Sequence, residues 1–120
     1  MTSKTVLIID DTEMMADFLE LNFKNNGFAV RTAYSFKEAK EILEKESCSP
    51  SAFCAVISDR ELGDNDGDGT DLLKIVEENF PSARRFLMSG STEPKEHNAE
   101  QFLLKPFNPD IIINKLKAVT

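Results

Sequence analysis

Two cysteines, Cys48 and Cys54, and a single histidine, His97, are all that the 120 residues offer to a soft metal or a disulfide scaffold. Two thiols are too few for a disulfide framework, and with one imidazole they make a poor structural zinc site. They read as reduced thiols of a cytoplasmic chain, because stable disulfides are rare in that compartment. No apolar run approaches the ~18 residues of a membrane span. Met1 to Thr5 lacks the apolar stretch of a signal peptide. Basic residues are in the minority, 14 Lys+Arg against 21 Asp+Glu for a net charge of −7. No basic stretch is present to track phosphates, so direct nucleic-acid binding is not expected. Internal repeats, low-complexity tracts and linkers are also missing.

What is present is alternation. A hydrophobic content of 41% argues against disorder. The length suits one domain over residues 1–120, which would bury roughly two-thirds of its unfolded surface. Thr5-Val6-Leu7-Ile8-Ile9 is short, β-branched and continuously apolar, the pattern of a strand buried on both faces. Met15, Phe18, Leu19 and Phe23 predict one face of a helix, closed by Asn26-Gly27. Phe28 to Ala33 is a second strand candidate. Ser35 and Glu38 form a capping box for a helix lined by Phe36, Ala39 and Leu43. After a loop at Ser47 to Ser51, Phe53 to Ile57 is a third strand, ending at Ser58-Asp59. A Gly/Asp-rich loop from Gly63 to Gly69 leads to a helix opened by Thr70, carrying Leu72, Leu73, Ile75 and Val76 and stopping at Phe80-Pro81. Arg85 to Met88 and Phe102 to Leu104 are strands four and five. Asn108-Pro109 opens a last helix with Ile112, Leu116 and Val119 on one face.

Strands alternating with helices predict a parallel sheet with helices on both faces. In such sheets functional groups gather beyond the carboxyl ends of the strands. There the sequence places Asp10-Asp11, Asp59, Ser89 and Lys105. Converging carboxylates repel one another and need a cation. The set suits Mg²⁺, which takes one or two carboxylates, waters and a phosphate oxygen. A lysine and a hydroxyl would complete a cradle for a phosphoryl group.

The pattern Asp10-Asp11, Asp59, Ser89 and Lys105-Pro106 resembles the receiver domain of two-component response regulators, the family that includes chemotaxis regulators. The resemblance covers nearly the whole chain. It implies a flavodoxin-like sheet of five parallel strands in the order 2-1-3-4-5. It implies that Asp59 is the phosphoacceptor for a histidine kinase or a histidine phosphotransfer protein, giving an aspartyl phosphate. It further implies Mg²⁺ held by Asp10, Asp11, Asp59 and the backbone carbonyl of Glu61, with Lys105 and Ser89 on the phosphoryl oxygens. Ser89 and Phe102 would be the switch residues, Phe102 turning inward once the charge on Asp59 grows by about −1.5 to −2. The domain would catalyse its own phosphorylation and slow dephosphorylation without being an enzyme toward another substrate. Its output would be a fused or separate domain, or a homodimer.

Three rivals share parts of the pattern. Asp64-x-Asp66-x-Asp68-Gly69 looks like the start of a calcium loop, but its twelfth position, which should be Glu, is Ile75. A haloacid-dehalogenase-type phosphatase would need Asp-x-Asp where this chain has adjacent acids followed by Thr12. A flavin-binding flavodoxin would want a Ser/Thr/Gly-rich loop after strand one, whereas Asp-Asp-Thr-Glu would repel a phosphate. His97 has no ligand partners nearby in sequence and reads as a solvent-exposed helix or loop residue.

The chain departs from the family in two places. Leu62-Gly63 stands where relatives commonly carry Met-Pro, and an acidic insertion delays Gly69. Between Ser89 and Lys105 the chain is shorter than typical receivers by more than one helical turn of ~3.6 residues, and it contains Pro94. The fourth helix is therefore expected to be short or missing. This leaves a second functional class beside the phosphorylation-gated switch, a receiver-fold binding or dimerisation module that signals without phosphate. In the family the position of Glu61, together with that of Ser91, tunes dephosphorylation. Replacing Glu61→Asn is expected to change the lifetime of the aspartyl phosphate, which timing its decay would measure.

Overall fold

The computed structural model describes residues 4–63 and 67–118. Five strands, β1 (Thr5–Ile9), β2 (Ala29–Ala33), β3 (Ala55–Asp59), β4 (Arg84–Ser89) and β5 (Gln101–Leu104), form one sheet in the order β2-β1-β3-β4-β5. Every pairing is parallel. The helices are α1 (Glu13–Lys24), α2 (Phe36–Lys45), α3 (Gly69–Asn79) and α4 (Asp110–Lys117). The expected fold class is the one observed, and no helix lies between β4 and β5. No helix among the described residues is long and apolar enough to cross a membrane.

Alternation along the strands divides the core in two. Leu7, Ile9, Val56 and Leu87 face α2 and α3, meeting Phe36, Ala39, Leu43, Leu72, Leu73 and Val76. Val6, Ile8, Ile57 and Met88 face α1 and α4, meeting Ala16, Leu19, Phe23, Ile112, Ile113 and Leu116. β1 and β3, at the middle of the sheet with both faces covered, are the most completely buried strands.

Several local expectations shift. Phe18 is 47% exposed, so it does not join the buried face of α1; Ala16, Leu19 and Phe23 form it, with Met15 at its margin. The helix period allows a stripe only about 100° wide, and Phe18 falls beyond its edge. α1 ends at Asn25, and Gly27 takes the left-handed conformation, φ +89°, that turns the chain into β2. Strand three begins at Ala55 rather than Phe53 and includes Asp59 itself. At α2, Ser35 Oγ accepts from Glu38 N–H as expected, while the Glu38 carboxylate reaches Tyr34 N–H. α3 starts at Gly69 and is capped by Asp68, which accepts from Thr70 N–H at 2.8 Å while Asp71 accepts from Asp68 N–H. Asp68 therefore serves a helix end, and a strand, not a helix, precedes the acidic loop; Asp64 and Asp66 lie outside the described residues. In α4, Asn108 Oδ1 caps Asp110 N–H, and Ile113 joins Ile112 and Leu116 in the core; Val119 lies outside the described residues.

The stretch Gly90–Glu100 replaces a helix with polar ties. Asn98 Nδ2 donates to the Leu73 carbonyl at 3.0 Å, and the Asn98 carbonyl accepts from Arg85 Nε at 3.0 Å. His97 sits in this stretch and is half-buried rather than solvent-exposed. Its Nε2 lies 2.6 Å from Glu93 Oε2, and its Nδ1 accepts from Ala99 N–H. Without a helix over it, Leu104 is 58% exposed, although it points to the same side of β5 as the half-buried Phe102. Both thiols are free. Truncating Leu73, fully buried in the α2/α3 layer, to alanine is expected to cost about 2–5 kcal/mol of stability. Leu104→Ala should cost under about 0.5 kcal/mol, and urea unfolding of the two variants measures the contrast.

Candidate functional site

The parallel register brings the strand ends together. Ile9 pairs with Ser58, which sets Asp10 beside Asp59. Asp59 pairs with Met88, placing Ser89 one residue further along β4, and Ser89 pairs with Leu104, placing Lys105 just beyond β5. Residues far apart in the chain thus meet along one carboxyl edge of the sheet.

Asp10 is fully buried and doubly tied. Its Oδ1 accepts from Thr12 N–H at 2.8 Å, and its Oδ2 accepts from Lys105 Nζ at 2.8 Å. Lys105 Nζ also reaches Asp59 Oδ2 at 3.0 Å. Asp59 is 4% exposed, and its Oδ1 is buried without a hydrogen-bond partner. Asp11 is exposed, yet oxygen atoms of Asp10, Asp11 and Asp59 all lie within 4.8 Å of one another. Two close approaches shape the surroundings. A Cβ at Gly63, whose φ is +76°, would stand 2.9 Å from Asp11 Oδ2, and a Cβ at Gly69 would stand 2.1 Å from the Asp59 carbonyl oxygen. Only glycine lets the loop and the start of α3 come so near.

Electrostatics follow from this crowding. Burial pushes the Asp59 pKa up to about 7; the hydrogen bond and charge of Lys105 pull it down, and the charges of Asp10 and Glu61 push it up again. Burial by itself would lower the Lys105 pKa. Its hydrogen bonds to Asp10 and Asp59, and their charges, outweigh that and hold it above the ordinary lysine value. Asp10 and Asp59 share one ammonium, Asp11 lies beside them, and a buried Asp59 oxygen is left without a partner. That donor set, hard oxygens with an orphaned acceptor, fits Mg²⁺.

The expected residues Asp10, Asp11, Asp59 and Lys105 meet. Ser89 is near them but turned elsewhere, since its hydroxyl donates to Glu61 Oε1 at 2.6 Å and Oε2 at 3.0 Å. Ser91 Oγ lies 3.1 Å from Glu61 Oε1. The resemblance pairs the Glu61 and Ser91 positions, and the two do meet; the bond from Ser89 to the Glu61 carboxylate is what the sequence does not foretell. Arg60, also missed, ties Asp68 (3.4 Å) to the Thr92 carbonyl (3.3 Å) across the mouth of the site. Phe102 is half-buried against the α2/α3 side of the core.

The Asp59 pKa makes stability depend on pH. Between the model-peptide value of 3.8 and about 7 the folded chain binds the Asp59 proton more tightly than the unfolded chain does, so this residue's contribution to stability falls as pH rises through that window. In EDTA, Asp59→Asn should therefore be increasingly more stable than the parent from about pH 4 to about pH 8. Thermal unfolding across that range checks it; a gap that stays constant would contradict the assignment.

The chain matches the response regulator receiver domain family over residues 6–117. Among curated relatives, the NtrX-like response regulator of Rickettsia felis is 29% identical over 123 residues, covering 98% of this chain and 25% of the relative. The hydrogenase transcriptional regulatory protein HoxA of Cupriavidus necator is 28% identical, covering 94% of this chain and 23% of the relative. The chain thus spans about a quarter of the length of these relatives. Among solved structures, a CheY-like receiver domain protein from Methanospirillum hungatei superposes with a TM-score of 0.82 at 22% identity, covering 98% of this chain and 94% of the other. A Burkholderia pseudomallei response regulator with a phosphorylated aspartic acid superposes with a TM-score of 0.79 at 26% identity, covering 98% and 71%. The match over residues 6–117, on a sheet of this order with this carboxyl edge, makes the chain a member of the response regulator receiver domain family.

Proposed function

We propose that this receiver domain accepts a phosphoryl group on Asp59 from a phosphohistidine of a kinase or phosphotransfer protein. The observation that carries this is the buried Asp59 carboxylate, held by Lys105 through one oxygen and unpartnered at the other. An Asp59 oxygen attacks phosphorus, an O–P bond forms, the P–N bond breaks, and its electron pair returns to the imidazole. Only the ionised carboxylate is a nucleophile, and a pKa near 7 would leave much of it protonated at neutral pH. A cation beside it restores the ionised form.

The Asp10, Asp11 and Asp59 side chains and the Glu61 carbonyl would hold Mg²⁺, which would supply positive charge to offset that of the phosphoryl oxygens. Lys105, already 3.0 Å from Asp59, supplies a second positive charge at the same place. Ser89 and Phe102 would carry the response, the hydroxyl moving toward the phosphoryl group and the ring following into the space it leaves. The exposed Leu104 beside Phe102 means that this change would be displayed on a face without a helix between β4 and β5. An output domain, fused or separate, would read it.

Incubation with acetyl phosphate and Mg²⁺ should add one phosphoryl group to the intact mass. The gain should vanish in Asp59→Asn and in EDTA, and slow strongly in Lys105→Ala. Absence of any gain in the parent chain would favour the phosphate-independent binding module instead.

A further inference from the structure

The hydroxyl at the end of β4 already has an acceptor. Ser89 Oγ sits 2.6 and 3.0 Å from the two oxygens of the Glu61 carboxylate. Ser91 N–H donates to Ser89 Oγ at 3.0 Å, and Ser91 Oγ lies 3.0 Å from Ser89 Oγ and 3.1 Å from Glu61 Oε1. A hydroxyl has one hydrogen to give. Ser89 can donate it to Glu61 or to a group on Asp59, but not to both. In this structure it goes to Glu61: Asp59 Oδ2 bonds Lys105, and Oδ1 has no partner among the described residues. The 2.6 Å separation is in the range of charge-assisted O–H···O⁻ bonds, which are among the stronger ones in proteins.

We propose that Glu61 is a positioning residue for the switch hydroxyl: its carboxylate is a built-in competitor that holds Ser89 until a stronger acceptor forms on Asp59. The inference rests on the phosphoacceptor reading and adds the element that sets its threshold. Glu61 is a carboxylate offering two oxygens, as a phosphoryl group offers three, so the switch exchanges one anionic acceptor for another. Ser91 makes the exchange feasible. When Ser89 leaves, Ser91 Oγ can keep donating to Glu61, so the carboxylate is not stranded without a partner. New negative charge on Asp59 would also repel Glu61, whose charge already acts on Asp59. The latch joins the segment after β3 to the last residue of β4, and Arg60 makes a second tie from the same segment to the Thr92 carbonyl just beyond. Releasing Ser89 therefore frees the end of β4 from the segment after β3, while Ser91 keeps its own bond to Glu61.

The test is a double-mutant cycle on beryllofluoride binding in Mg²⁺, followed by calorimetry, using the parent chain, Glu61→Ala, Ser89→Ala and the double variant. Glu61→Ala should tighten binding about tenfold when Ser89 is present, and by a factor of about two or less when it is absent. Equal tightening in both backgrounds would mean charge repulsion alone and would overturn the latch; so would no tightening with Ser89 present. If the Ser89 variants do not fold, salt decides. In about 1 M NaCl, where the Debye length is ~3 Å, a gain from Glu61→Ala that persists supports the latch and one that disappears overturns it. A parent chain that binds no beryllofluoride would overturn the phosphoacceptor reading itself, whereas binding with additive effects would overturn the latch alone.

Discussion

One ammonium among buried carboxylates is the constraint on which the functional edge depends. Lys105 Nζ bridges Asp10 and Asp59 and, among the described residues, is the cation that ion-pairs with either. Removing it would leave both acids in a largely desolvated place with nothing to offset their charge, which is far more costly than losing an exposed ion pair. Even with Lys105 in place, burial, together with the charges of Asp10 and Glu61, holds the Asp59 pKa above its ordinary value. The proposed divalent cation would offset that burial cost, and the Asp59 oxygen without a partner would be open to it.

The sheet is what makes this crowding tolerable. β1 and β3 are buried on both faces and paired on both sides, so Asp10 and Asp59 are held by a rigid frame rather than by loops. Asp10 spends one oxygen on Thr12 N–H at the entrance to α1, satisfying a backbone donor near a helix start. Gly63 then lets the chain pass close to the Asp11 carboxylate, and Gly69 lets the start of α3 pack against the Asp59 backbone carbonyl. Stability and site geometry share the same residues here. The rim is different: Glu61, Ser91 and Arg60 are joined by side-chain hydrogen bonds on partly exposed loops, the kind of contact that rearranges at low cost.

Legibility in the sequence followed burial. Doubly covered strands announce themselves as continuous apolar runs, so β1 was readable to the residue, and helix faces with strong periodicity, such as Phe36, Ala39 and Leu43, were readable too. Phe18 was misplaced because a large apolar residue beside a true core position satisfies the same spacing rule within the tolerance of a short helix. His97 was misplaced because its burial comes from neighbours in an irregular stretch with no periodicity to read. The missing helix was foreseeable, since chain length and Pro94 limit what can fit between Ser89 and Lys105. How that stretch is tied down was not, because Asn98 finds its partner on α3, at Leu73.

By itself the sequence determined the alternation of strands and helices, the identity of the acids, hydroxyl and lysine at the strand ends, and, through their resemblance to receivers, the family. Local period and strand-end chemistry carry that information because each depends on neighbours only a few residues away. Tertiary structure decided which oxygen pairs with which donor: Lys105 shared between Asp10 and Asp59, Asp59 Oδ1 left open, and Ser89 turned to Glu61. Those choices join residues 28 to 95 positions apart, and only the parallel register that aligns the strand ends brings them within hydrogen-bonding distance.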